Sequence, residues 1–275
     1  MKAETQEQRE EKVRSLRPID DLLFQELAED KAVVQEMLRV ILSDNGLIVK
    51  EVTPQRIISN TRGRRVQLDA LCRLGDGREC NIEVQRADND DHLRRVRYNA
   101  SGITWTRTKA GIPFKDIRDL CVIYISEFDF LKGGHTLYHV DKVVRETGER
   151  VNDGMEEIFV NTSIDDGSAV ADLMRCFLQA EVSTKEFPEL TRKMQWVKHT
   201  EEGVSTMSAV IEKFYGEELQ EARKEAQEQG EKKTENTFAR LSAAMQEHGC
   251  PSDDIVRTMS DADFRKEMMK KFGIS

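Results

Sequence analysis

The stretch Val66–Gln85, VQLDALCRLGDGRECNIEVQ, decides the fold. It breaks at Gly75-Asp76-Gly77, residue types that tolerate the backbone angles of turns. The spacing predicts two antiparallel strands. With a three-residue loop centred on Asp76, Asp69 falls opposite Glu83 and Gln67 opposite Gln85. Side chains alternate faces along a strand. One face then carries Gln67, Asp69, Glu83 and Gln85; the other carries Leu68, Ala70, Cys72, Cys80, Ile82 and Val84. Like charges opposed across a strand pair are unfavourable, so two facing carboxylates mark a candidate divalent-metal site. The same alternation is what any half-exposed hairpin shows. A two-residue turn at Asp76-Gly77 would shift the register by one and carry Glu83 to the face away from Asp69.

Working outward, Asp21–Leu42 has a helical apolar pattern, with Pro18 before it and Asn45-Gly46 ending it. Gln55–Ser59 is a short strand. Asp90–Arg107 is a helix whose inward stripe is Leu93, Val96, Ala100 and Ile103, stopped by Gly111 and Pro113. Leu120–Ser126, LCVIYIS, is nearly all apolar, as a strand buried on both faces should be. A helical crossover into it implies a parallel, right-handed connection. Strands at Thr136–Val144 and Glu156–Thr162 follow, separated by Glu146-Thr147-Gly148, and then a helix at Ala169–Val182. The expected class is α/β, a mixed central sheet flanked by helices, with a helical C-terminal extension. The expected division is a flexible N-terminus (1–16), a main domain (17–186), a helical extension (187–236) and a small helical tail (237–275). The part Glu217–Glu235 is almost wholly polar, as in a helix that bridges domains or pairs weakly.

No uncharged run exceeds nine residues, so no membrane span is expected. The opening MKAETQEQREEKVR lacks a signal-peptide core, and the expected location is cytoplasmic. The five cysteines form no CxxC pair and are expected as buried, reduced thiols. His135 and His139 sit four apart without further ligands, which argues against zinc. Net charge is −9, yet the window Arg56–Arg118 holds fourteen Lys/Arg and eight Asp/Glu, so it is +6 and the remainder −15. Arg62, Arg64 and Arg65 precede the hairpin; Arg86, Arg94, Arg95 and Arg97 follow it. A basic field around an acidic centre suits phosphate-backbone chemistry, although arginines on solvated faces would look the same.

Asp69 and, fourteen positions on, Glu83-Val84-Gln85 together resemble the PD-(D/E)xK nuclease superfamily, and more narrowly the Rpn-like recombination-promoting nucleases, the "PD-(D/E)xK nuclease family transposase" group. NIEVQ at Asn81–Gln85, Asp21-Leu22-Leu23-Phe24 and Arg94-x-x-x-Tyr98 are similar to that group's motifs, and the resemblance spans roughly residues 16–270. It implies a restriction-endonuclease-like αβββαβ core. It departs in having Gln85 where the wider superfamily has Lys, and Leu68 where the name has proline. Glutamine can orient a water by hydrogen bonds but carries no charge.

The resemblance implies a metal-dependent DNA endonuclease linked to recombination or mobile elements. Asp69 and Glu83 would hold Mg²⁺ (or Mn²⁺), with Asp21 a further carboxylate directly or through water. Gln85 would orient the attacking water. Arg94 and Tyr98 would touch the scissile phosphate or hold Gln85, and Arg62, Arg64 and Arg65 would contact the DNA backbone. As local features, Asp21 is equally a helix-start acid, Arg94 and Tyr98 a surface cation and a half-buried ring, and the three arginines a solvated loop. The expected partner is DNA, with no membrane and no small-molecule cofactor; the tail is a candidate homodimer surface. Two other classes compete: a degenerate nuclease fold that binds nucleic acid or protein without cutting, and a regulatory partner module built on the acidic helical tail.

Overall fold

The computed structural model describes residues 6–58 and 66–274. The turn at Gly75–Gly77 closes as expected: Leu74 N–H donates to Arg78 O at 2.9 Å, and Gly77 has φ 97°, a left-handed angle that suits a residue without Cβ. Strands β2 (Val66–Leu74) and β3 (Glu79–Gln85) pair antiparallel with Ala70 opposite Ile82 and Cys72 opposite Cys80. This is the register of the three-residue loop, and it rules out the shift of one. The strand before them, β1 (Val49–Ile58), is longer than the expected short strand and pairs antiparallel with β2. Ser59, the end of that expected strand, lies outside the described residues.

Helix α4 (His92–Arg107) connects β3 to β4 (Leu120–Ser126), and those two strands are parallel. Two further main strands complete the sheet: β5 (Leu137–Val140) and β8 (Met155–Asn161). The strand order is β1-β2-β3-β4-β8-β5, parallel at β3/β4 and β4/β8 and antiparallel elsewhere. A small ribbon of β6 (Lys142–Val143) and β7 (Arg150–Val151) stands between β5 and β8 in the chain. β4 is buried at every position, as its apolar run requires.

The N-terminal segment, expected as flexible, forms helix α1 (Gln6–Ser15), with Val13 buried and the Lys198 ammonium donating to Arg14 O and Leu16 O at 2.7 and 2.5 Å. The helix expected over Asp21–Leu42 is two, α2 (Asp21–Ala28) and α3 (Lys31–Ile41). Asp30 breaks it. Its backbone is extended and its carboxylate accepts from Ala32 N–H at 3.0 Å, a cap that competes with helix continuation. Leu23, Phe24, Leu27, Val34 and Leu38 are fully buried. The ring of Phe24 meets Phe177 of α5 (Ala169–Phe177) at 6.3 Å.

The chain forms two compact units, Met1–Ile211 and Glu212–Ser275. The first therefore extends past the boundary expected near 187. Helix α6 (Pro188–His199) is tied into it because the Glu36 carboxylate accepts from Glu189 and Leu190 N–H at 3.1 and 2.9 Å, using donors a helix start leaves open. The Lys193 ammonium meets the buried Glu26 carboxylate at 2.6 Å. Helix α7 (Glu201–Glu247) carries the unit boundary. In the second unit, helices α8 (Ser252–Ser260) and α9 (Ala262–Lys271) bury Leu241, Met245 and Met268. Among the described residues, no helix is long and apolar enough to cross a membrane.

Candidate active site

The polar face of the hairpin is not solvent-facing. Helix α4 lies over it, with Val96, Ala100 and Ile103 packed in one cluster with Leu71, Val122 and Tyr124. Three of the four predicted stripe residues face inward; Leu93 is half exposed instead, at 50 %. Glu79, Asn81 and Glu83 alternate along β3 on the covered face, and all are buried. Burying a polar group there is costly unless it is hydrogen-bonded. Glu79 has two guanidinium groups, Arg107 Nε at 3.2 Å and Arg118 Nη1 at 3.3 Å. The Asn81 amide donates to Glu83 Oε1 at 2.7 Å, and the buried Asn99 amide of α4 helps to lower the Glu83 carboxyl. Neither Glu83 nor Asp69 has an ion pair within 4.0 Å among the described residues.

Asp69 reaches across the strand pair and accepts from Val84 N–H at 2.8 Å, which fixes it beside Glu83. Its carboxyl is pushed up to about 7, above all by burial; the Asp21 charge adds to the rise, while the Val84 N–H and Arg95 oppose it. Glu83 is held well above the usual carboxylate range by burial first and by the Asp69 charge second, against the hydrogen bonds from Asn81 and Asn99 and the charge of Arg95. The two carboxylates thus stand close enough to resist joint ionisation. Asp21, in the first turn of α2, keeps an open side to solvent. The surrounding protein, then Asp20, raises its carboxyl, and Arg86 and Arg95 lower it. Among the described residues no three His, Cys, Asp or Glu side chains converge on a common metal position. Asp21 neighbours the pair closely enough for its charge to act on Asp69.

Arg95 is the cation that faces all three carboxylates. Its Nη2 lies 3.5 Å from Asp91, while its buried Nε has no hydrogen-bond partner among the described residues. Arg95 and Asn99 sit four apart beside the inward stripe, a spacing that puts them on one helix face. That offset is the sequence signal for both, and Arg94 and Tyr98 are one position away from it. Arg94 and Tyr98 are exposed, and Arg94 lines a groove on the outer side of α4. Gln85 ends β3 on the carboxylate face, and its amide donates to Ala87 O at 2.9 Å. Arg86 is occupied structurally, bonded to Asp20 Oδ1 at 2.5 Å and Glu127 at 3.1 Å, while Arg17 meets Glu127 at 3.0 Å. This network anchors the start of α2, and so Asp21, to the end of β4. Arg62, Arg64, Arg65 and the Gln67 side chain lie outside the described residues.

The donor set of the pair is hard oxygen on two carboxylates, partly buried and without an ion pair of their own among the described residues. That fits Mg²⁺ or Mn²⁺ held by one or two carboxylates with water and phosphate completing the shell. All five cysteines are free thiols.

No curated protein and no solved structure matches this chain. A family model does: "PD-(D/E)XK nuclease family transposase" matches residues 18–166, a little over half of the chain, from just before α2 through β8. The matched span contains the αβββαβ order, the crossover and the carboxylate pair, and the chain belongs to the PD-(D/E)XK nuclease family transposases.

Proposed function

We propose that this protein is a divalent-metal-dependent DNA endonuclease whose reaction centre is Asp69 and Glu83. The observation that carries the reading is a contrast on one face of the hairpin: Glu79 has two guanidinium partners, while Glu83 and Asp69 crowd each other with no ion pair among the described residues. A divalent ion supplies such a site with charge stabilisation for the phosphate and a more acidic water. The chain's own residues do the rest. Val84 N–H and the Asn81 amide fix the carboxylate oxygens, and Asn99 favours the charged form of Glu83. Arg95 supplies the positive charge that the superfamily's lysine supplies elsewhere, aimed at a phosphate rather than at the water. Gln85 orients the attacking water through its carbonyl oxygen, since its amide is engaged by Ala87. Arg62, Arg64, Arg65, Arg94 and Tyr98 are the candidate DNA contacts.

A catalytically silent nucleic-acid-binding module is the second reading, favoured by the neutral Gln85. Supercoiled plasmid with Mg²⁺ or Mn²⁺ decides between them. The nuclease reading requires nicking or linearisation that EDTA, Asp69→Ala and Glu83→Ala each abolish. Binding without cutting supports the second reading, and cutting that survives the double substitution ends the first.

A further inference from the structure

The outer side of α4 borders a second feature, which the carboxylate centre does not use. A groove of about 1130 Å³ runs between α4, the turn at Phe114–Asp116 and the sheet edge at β5 and β8. Its apolar lining is unusually open: Phe114 is 92 % exposed, Trp105 69 %, and Leu93 and Val140 also reach solvent. Arg94, Arg97 and Lys109 edge the same groove, and their side chains have no carboxylate partner among the described residues. Lys142 is bonded to Asp153 instead. Glu157 is the acidic group in the lining. This cationic edge occurs in a chain of net charge −9, so charge alone selects an anionic occupant.

Rings flanked by guanidinium and ammonium groups match one polyanion in particular. A nucleic-acid duplex keeps its base faces stacked inside and would leave Trp105 and Phe114 against water. A single strand offers phosphates to the cations and ring faces to the aromatics. We propose that this groove binds single-stranded nucleic acid, with bases stacked on Trp105 and Phe114 and the backbone held by Arg94, Arg97 and Lys109. The inference deepens the nuclease reading and rests on it. One helix presents Arg95 and Asn99 to the reaction centre and Arg94, Arg97 and Trp105 to the groove, so it would couple cutting to a frayed, displaced or unpaired strand.

The test uses the full chain in EDTA, so that no cutting occurs. Fluorescein-labelled oligodeoxythymidylate is titrated and followed by anisotropy. Trp105→Ala and Phe114→Ala should each weaken binding about tenfold; unchanged far-UV circular dichroism controls for folding. Arg94→Gln with Arg97→Gln should lower the slope of log K against log salt by about 1.4. A self-complementary duplex of equal length should compete poorly. Ring variants that bind like wild type, or a duplex that competes as well as the strand, overturn the proposal. So does a wild-type dimer, by sedimentation, that the ring variants convert to monomer without altered oligonucleotide binding; that result assigns the groove to a second copy of the chain. The plasmid assay separates the two readings. Ring-dependent binding by a protein that cuts nothing leaves the groove and removes the nuclease. Asp69-dependent cutting with ring-independent binding does the reverse.

Discussion

Asp69→Asn should stabilise the metal-free protein at alkaline pH and leave it nearly unchanged in acid. In the unfolded chain the Asp69 carboxyl ionises near its ordinary value; in the fold burial lifts it to about 7. Between about pH 4 and about pH 7 the folded state therefore holds a proton that the unfolded state has released. Stability falls as pH rises through this window, and the full penalty is present above it. The lift corresponds to about 4 kcal/mol. Asp69 keeps partial contact with solvent, so the useful figure is about 2 kcal/mol. Glu83 is raised for the same reasons and adds in the same direction. Carboxyls held low by arginine or backbone donors, such as Asp30 and Asp166, have the opposite sign, but their window lies below about pH 4. The amide oxygen of the substituted side chain can still accept from Val84 N–H, which keeps the geometry. Urea unfolding in EDTA measures the effect. Wild type should lose about 2 kcal/mol between about pH 5 and about pH 8.5, and Asp69→Asn should lose clearly less. Saturating Mg²⁺ should restore about 2–3 kcal/mol to wild type at the upper pH and little to the variant. A wild-type stability that is flat with pH, or a variant weaker at both ends, would show that the carboxylates are not a strained pair.

Arg95→Gln should lower plasmid cleavage about a hundredfold, with Arg95→Lys recovering part of it, because the charge is restored without the fork. Equal rates in all three proteins would remove Arg95 from the site. Gly203→Ala should destabilise by about 1–3 kcal/mol in thermal unfolding, since an added Cβ would come within 2.0 Å of Trp196 O where α6 meets α7. An unchanged melting temperature would mean that this corner relaxes freely.

Much of the main domain is legible in the sequence because its signals are local. Gly75-Asp76-Gly77 and strict alternation set the β2–β3 register, and LCVIYIS identifies a doubly covered strand. Several departures share a cause: they depend on a polar residue with a buried partner or a cap that no periodicity reveals. Asp30 divides one apolar pattern into two helices through a cap. Lys193 and Glu26, 167 positions apart, make α6 part of the first unit although both look like surface charges. The inward polar residues of α4 lie one position from the pair that the motif singles out. Arg94 and Arg95 are chemically identical, and only the packing of Val96 and Ile103 decides which of them turns inward.

The same distinction separates two glutamates that sequence alone treats alike. Glu79 and Glu83 lie on one face of one strand, both buried beneath α4. Arg107 and Arg118 neutralise Glu79 from outside the sheet. Glu83 has amide donors and a repelling neighbour. Neutralising each by glutamine should therefore act in opposite directions at about pH 8.5 in EDTA. Glu79→Gln strands two arginines and weakens the fold, by about 2 kcal/mol because both arginines keep some solvent contact. Glu83→Gln removes a buried carboxyl that has no ion pair within 4.0 Å among the described residues and should raise stability while abolishing cleavage. A variant that costs both stability and activity at position 83 would mean that Glu83 is already compensated within the chain, and the case for an external cation would fail with it.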